Sequence, residues 1–339
     1  MSSTISNSHQ VPAALQDLAS GYIKTQALYV AARLGLADHL SAGPQSSEAL
    51  AQAVSAHPQA LDRLLRALES LGLLRSPQPG VFALTPLGEH LCTDAPSGFR
   101  SQMLMLDETG WLLWGHLTYT ITTGHSPVEH VFALSSFDFF QQQSQTAARY
   151  NEFMTRRVSA LAPTVVAAYD FRPFRTITQI AGGHGTLLTA ILEAAPEAQG
   201  VLFELPMTVE AARQHLAERG LAERCTCVGG NYFIEVPHGD AILLLGVISN
   251  WDDEKSVRIL TNCRRRIGAQ GRLLLLEQRF LPEEPASPTA WLDLMKLVSG
   301  GGLRRSEAEY RRLLGQADFE LLRVIPTKTE LSLFEARPV

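Results

Sequence analysis

Apolar positions in the first hundred residues recur at three- and four-residue spacings. Over 12–40, Leu15, Leu18, Tyr22, Ile23, Leu28, Ala31, Leu34 and Leu36 predict helix, with Gly21 and Gly35 as breaks. Ser46 or Ser47 can cap a short helix in SEALAQAV. Leu61, Leu64, Leu65, Leu68 and Leu71 then line one face of a second helix within HPQALDRLLRALESLG. LLRSPQPGVFALTPLG reads as strand, Pro-Gly turn, strand. Helix, turn, helix and hairpin outline a winged helix. The stretch 101–165 is helical and aromatic, with Trp111, Trp114, Tyr119, Phe132, Phe137, Phe139, Phe140 and Phe153. A core stripe and the lining of a small-molecule pocket would bury the same residues.

From about residue 173 the period changes to alternating strands and helices. Strands are expected at RTITQIAG (175–182), GVLFELP (200–206), CTCVGG, DAILLLGVIS (240–249), GRLLLLEQ (271–278), FELLRVIPT and ELSLFEA. Helices are expected at TLLTAILEAAP, MTVEAARQHLAERG (207–220), DDEKSVRILTNCRRRI, 289–298 and 306–316. Such alternation predicts an α/β architecture: a doubly wound, mostly parallel sheet with helices on both faces and ligands at the carboxyl ends of its strands. Three regions follow: a helical and winged-helix domain at 1–100, a helical linker lining the pocket at 101–170, and a Rossmann-like domain at 171–339.

Composition narrows the function. The 339 residues are 45% apolar and 19% charged with a formal charge of −5, which excludes a disordered chain and leaves no basic run for nucleic acid. Within the winged helix, Arg63, Arg66, Arg75 and Arg100 face Glu48, Asp62, Glu69, Glu89 and Asp94. That balance cannot supply phosphate contacts, so the unit is read as a packing element. Cys92, Cys225, Cys227 and Cys263 include no zinc-type CxxC pair, so no metal site is expected. Reduced cysteines, an N-terminus without the features of a secretory signal, and the lack of an apolar run of ~18 residues predict a cytoplasmic protein with no membrane partner.

The first strand of the α/β part ends in Ala181-Gly182-Gly183-His184-Gly185-Thr186, small residues that let a ligand approach the helix N-terminus. Leu188 stands where a dinucleotide fingerprint needs its third glycine. The second strand ends at Glu204, an acid placed to hold a ribose. With no phosphate-binding cation nearby, this suits an adenosine ligand that lacks a pyrophosphate.

The order AGGHGTLLTAILEAAP, VLFELP, GGNYF, ISNWDDEKSVRIL and GGGLRRSEAEY resembles the S-adenosylmethionine-dependent small-molecule O-methyltransferases of the caffeate and hydroxyindole type. LYVAARLGLADHL and FALTPLGEHL match that family's dimerisation and winged-helix part, and EHVFAL and YDF its linker. The resemblance implies a class I methyltransferase domain behind a dimerising N-terminal domain, a homodimer, and a small-molecule substrate between the domains. It also implies an S-adenosylmethionine or S-adenosylhomocysteine site at Gln179, Ala181, Gly182, Gly183, Gly185, Glu204, Asn231, Tyr232, Leu245 and Trp251. Substrate contacts are implied at Trp114, His130, Phe153, Met154, Trp291 and Met295, and chemistry at Ser249, Asn250, Glu277 and Arg304.

Several positions depart from the family pattern. Gln179 replaces an acid, Ala181 a glycine, Asn231 an Asp on the adenine side, and Leu245 or Gly246 a cation. Ser249 replaces the His that acts as general base, and Arg304 a Glu; Glu204, Trp251 and Glu277 are kept. A lost charge-assisted hydrogen bond costs ~1.5–3 kcal/mol and a lost base ~10²–10⁴ in rate. The combined departures predict weak cofactor binding and a non-methylating cyclisation, pericyclic step or rearrangement of an aromatic or polyketide-like substrate in secondary metabolism. Methyl transfer is the alternative, and a non-catalytic binding subunit the second. His184 is read as a cofactor neighbour, and Arg264, Arg265 and Arg266 as cations suited to a helix C-terminus.

Overall fold

The computed structural model describes residues 11–135, 138–139, 142, 144–280 and 290–339; Phe137 and Phe140 of the aromatic stripe lie outside them. The chain divides into two compact units, the first ending at Asp107 and the second starting at Glu108.

In the first unit the expected long helical run is three helices, Ala13–Ala19, Gly21–Leu34 and Leu36–Leu40. Gly35 makes the second break with a left-handed φ of 65°, whereas Gly21 opens its helix and the first break falls at Ser20. Ser46 is the cap of helix Ser47–Ala53, accepting from the Ala49 N–H. Helix Pro58–Ser70 buries Leu61, Leu65 and Leu68. Strands β1 (Gln45–Ser46), β2 (Leu74–Gln78) and β3 (Val81–Leu84) form an antiparallel sheet in the order β1-β3-β2. Its core gathers Ala32, Leu50, Leu65 and Phe82. The first helix buries none of its residues: Leu15 and Leu18 are 56% and 77% exposed, and Tyr22 and Ile23 beyond it 59% and 55%.

The second unit is built on a seven-stranded sheet. Its strands are β4 (Thr176–Ile180), β5 (Gln199–Glu204), β6 (Cys225–Gly229), β7 (Gly239–Leu245), β8 (Ile267–Gln278), β9 (Phe319–Pro326) and β10 (Leu331–Pro338), in the order β6-β5-β4-β7-β8-β10-β9. Strands β4 to β8 run parallel, while β10 is antiparallel to both β8 and β9. The reversal follows from chain length: the four residues between β9 and β10 can close a hairpin but not a parallel crossover.

Helices cover both faces. Val165, Leu188, Leu192 and Leu216 fill one side from helices Ser144–Ala168, Thr186–Ala194 and Pro206–Glu218. Ile259, Leu260, Tyr310 and Leu314 fill the other from helices Asp253–Arg266 and Glu307–Gln316. Strand order reverses between β4 and β7, which opens a crevice beside their carboxyl ends. Helices Glu108–Gly115, Leu117–Thr123, Pro127–Phe132 and Ala290–Gly300 pack together in part around Leu113, Val128, Phe139 and Val298. Among the described residues no helix is long and apolar enough to cross a membrane.

Candidate active site

The turn after β4 carries three left-handed residues, Ala181 (φ 53°), Gly183 (58°) and Gly185 (84°). Its glycines serve different ends. A Cβ on Gly182 would lie 2.3 Å from Leu202 Cδ1, so that position is closed by packing. A Cβ on Gly183 would meet nothing nearer than Asn151 Oδ1 at 3.8 Å, so the space above the turn is open. Glu204 at the end of β5 reaches back to the turn after β4: its Oε2 accepts from the Gly183 N–H at 2.8 Å and its Oε1 from the Leu205 N–H at 2.7 Å. Burial raises its pKa, and the Leu205 and Gly183 N–H groups work against that rise.

Gln179 is turned away from this space. Its Oε1 accepts from the Leu188 N–H at 3.1 Å, satisfying one of the orphan donors in the first turn of helix Thr186–Ala194. His184 meets Thr155 Oγ1 at 3.2 Å, and burial lowers its pKa, with His215 adding to the effect.

A second wall follows β6. A Cβ on Gly230 would fall 2.5 Å from the Phe203 ring, and Asn231 Oδ1 accepts from the Phe233 N–H at 2.8 Å. Phe233 packs edge-on to Trp251 with ring centres 4.9 Å apart, and Tyr232 lies 6.4 Å from the same indole. Burial and the nearby Glu204 carboxylate hold the Tyr232 phenol protonated. Tyr150 is kept protonated in the same way, burial first and Glu204 also acting. Leu245 ends β7 and packs against the core.

Ser249 and Asn250, two of the residues expected to do chemistry, lie on the short 3₁₀ turn Ile248–Asn250 after β7. Ser249 Oγ donates to Glu277 Oε2 at 2.6 Å, and the Ser249 N–H donates to Glu277 Oε1 at 3.2 Å. Glu277 is 1% exposed; burial raises its pKa against the pull of Lys296, Ser249 and the Ile248 N–H. Lys296, from helix Ala290–Gly300, places Nζ 2.8 Å from Ser249 Oγ and 3.0 Å from Asn250 Oδ1. Its pKa is lowered, by burial first, then by the Arg157 and Arg304 charges, while Glu277 and Asp293 oppose the shift. Ser249, Asn250 and Glu277 therefore come together as the sequence expected, around a lysine that sequence reasoning missed. A lone cation inside the apolar run AWLDLMKLVSG was the signal available.

Arg304 is the fourth residue at which the resemblance implies chemistry. Its N–H donates to Asp293 Oδ1 at 2.6 Å, its guanidinium reaches the Arg279 carbonyl at 2.5 Å, and its charge acts on Lys296. The cation whose charge bears on Glu277 is Lys296. Arg305, 1% exposed, donates to the Ile248 and Trp251 carbonyls and to Asp253, which fixes the 248–250 turn.

Of the expected substrate contacts, Trp114 is half-buried against the cluster of Leu113, Val128 and Val298, and Met154 packs against the sheet. Phe153 is half-buried, Trp291 and Met295 are exposed, and His130 is an exposed ring stacked on Tyr119 at 4.2 Å. Among the described residues no group of three or more His, Cys, Asp or Glu is placed to hold a metal.

An open glycine turn, a bridging acid at the end of the next strand and a helical N-terminal unit define a class I methyltransferase fold with an N-terminal dimerisation domain. The chain belongs to the O-methyltransferase family: its O-methyltransferase domain model matches residues 114–320 and its dimerisation domain model residues 16–94. Phenazine O-methyltransferase PhzM of Lysobacter antibioticus is 40% identical over 327 residues, 96% of either chain. The structure of the mitomycin 7-O-methyltransferase MmcR matches with a TM-score of 0.92 and 32% identity, covering 96% of this chain and 97% of that one. An O-methyltransferase from neocarzinostatin biosynthesis, solved with S-adenosylmethionine and 2-hydroxy-5-methyl naphthoic acid, matches with a TM-score of 0.86 and 30% identity over 98% and 100% of the two chains.

These relatives correct two expectations. All three are methyltransferases, and none supports a cyclisation, pericyclic step or rearrangement. One of them was solved with S-adenosylmethionine, which argues against weak cofactor binding in this fold. In the site, Glu204 accepts from the Gly183 N–H, Phe233 packs edge-on to Trp251, and the Lys296 amine reaches Ser249 Oγ from another helix.

Proposed function

We propose that the protein is an S-adenosylmethionine-dependent O-methyltransferase acting on a phenolic hydroxyl of a planar aromatic natural product. The observation that carries this reading is the Glu204 carboxylate held open-faced by the Gly183 and Leu205 N–H groups beside an unfilled turn. Glu204 accepts the ribose hydroxyls, the Gly183 side of the turn receives the amino-acid end, and Tyr232, Phe233 and Trp251 flank the adenine. When bound, S-adenosylmethionine supplies an electrophilic methyl group. The chain's own part is to orient the acceptor oxygen and exclude water, because proximity provides much of the acceleration. Similarity to a phenazine and a naphthoate-bound methyltransferase favours fused-ring phenols as acceptors. The family's dimerisation domain and the exposed Leu15, Leu18, Tyr22 and Ile23 support a homodimer.

The test is stoichiometric. Purified protein is incubated with S-adenosylmethionine and a panel of hydroxyphenazines and hydroxynaphthoates, and S-adenosylhomocysteine and methyl ether are quantified together. Equimolar formation of both is expected; conversion of an acceptor without S-adenosylhomocysteine overturns the reading.

A further inference from the structure

We propose that Lys296 is the proton acceptor for the substrate hydroxyl, with its amine aimed by Ser249 Oγ and Asn250 Oδ1. This rests on the methyl-transfer reading above.

The direction of the hydrogen bonds carries the inference. Ser249 Oγ spends its single hydrogen on Glu277 Oε2 at 2.6 Å, so it can only accept from Lys296 Nζ at 2.8 Å. Asn250 Oδ1, 3.0 Å from the same nitrogen, is likewise an acceptor. A neutral amine has two hydrogens and one lone pair. Ser249 and Asn250 use both hydrogens, which leaves the lone pair for a third partner.

Burial is the main influence that moves Lys296 toward that neutral form. Burial disfavours the ammonium, and Arg157 from helix Ser144–Ala168 and Arg304 beyond the Ala290–Gly300 helix act in the same sense. Glu277 and Asp293 act in the opposite sense. Helices Leu117–Thr123 and Pro127–Phe132, packed on the lysine's helix, carry Tyr119, Glu129 and His130, the last two exposed. Once the proton has moved, Glu277 stabilises the ammonium through the Ser249 hydroxyl. The balance closes: the phenol O–H bond breaks as an N–H bond forms on Lys296. The O–CH₃ bond forms as the S–CH₃ bond breaks, its electron pair staying on sulfur. Ser249, which cannot itself take a proton, becomes a positioning residue.

The experiment has two arms. Without any substrate, the rate of acetylation of Lys296 by dilute acetic anhydride is followed against pH by peptide mass spectrometry. A midpoint below the ordinary lysine value of ~10.4 is expected, and one at or above it overturns the proposal. In the second arm, Lys296→Met, Lys296→Gln and Lys296→Arg are assayed on a hydroxyphenazine and on a nitro-substituted analogue already ionised at assay pH. All three are expected to lose ~10²–10⁴ in kcat on the first phenol, with KM and S-adenosylhomocysteine affinity within a few-fold, and less than about tenfold on the second. The alkaline rise in the wild-type profile should shift in the variants to the phenol's own pKa. Equal losses on both phenols, or none on either, overturn the assignment. If the wild type methylates neither phenol, methyl transfer to such acceptors fails, while the acetylation midpoint still decides the state of Lys296.

Discussion

Gly302 lies directly against Ser249: a Cβ added to it would sit 2.4 Å from the Ser249 carbonyl oxygen and 2.6 Å from the Asn250 carbonyl carbon. The turn that bears Ser249 and Asn250 is thus positioned by backbone contact with the chain leading to helix Glu307–Gln316. Gly302→Ala must push the two apart. Overpacking of this kind costs about 1–3 kcal/mol. A fall of several degrees in melting temperature is expected, together with a drop in kcat larger than any change in S-adenosylhomocysteine affinity. Calorimetry and steady-state kinetics on the same preparation check it.

Arg305 holds that turn from below. Its guanidinium reaches the Ile248 carbonyl at 3.1 Å, the Trp251 carbonyl at 2.9 Å and Asp253 Oδ1 at 2.8 Å. Arg305→Met strips the partners from two carbonyls and is expected to destabilise the protein by about 3 kcal/mol in denaturant unfolding. Arg312 reaches the same Asp253 from the surface at 3.3 Å, so Arg312→Met should change stability by less than about 1 kcal/mol.

Glu204 should make cofactor affinity depend on pH. Burial raises its pKa above 4.5, and only the carboxylate accepts from both ribose hydroxyls. S-adenosylhomocysteine affinity, measured by calorimetry, is therefore expected to be full above that raised value and to fall as pH drops through it. Glu204→Gln should bind about tenfold to a hundredfold more weakly at neutral pH and lose this dependence. An unchanged slope in the variant would place the titrating group elsewhere.

Leu18, 77% exposed on a helix that buries nothing, tests the dimer. Leu18→Glu sets a charge in the face assigned to the partner and should shift the species seen by light scattering from dimer toward monomer. Leu87, 55% exposed near the wing hairpin, is the control: Leu87→Glu should leave the mass unchanged.

Much of the architecture was legible in the sequence because periodicity is local. The alternation after residue 173, the Pro79-Gly80 hairpin and the cap at Ser46 or Ser47 each needed only neighbouring residues. Glu204 was equally readable, since the end of the second strand is set by the chain itself. The roles of Gln179 and Asn231 were harder to read. Both looked like weakened ligands, yet each is engaged with nearby backbone N–H groups, at Leu188 and Phe233.

By itself, then, the sequence determined the doubly wound sheet and the glycine turn facing an acid, while it expected three regions and the structure forms two compact units. The family resemblance, not the local pattern, pointed to Ser249, Asn250 and Glu277, which the fold brings to one place. Only the tertiary structure decided which cation meets them. Lys296 lies 47 residues from Ser249, and its place as a lone cation in AWLDLMKLVSG does not say which acceptors it meets. What changes its chemistry is the packing of helix Ala290–Gly300 onto the 248–250 turn. That packing half-buries the lysine and gives its hydrogens two fixed acceptors. Desolvation and hydrogen-bond direction are properties of a three-dimensional surrounding, and no periodicity along a chain encodes them.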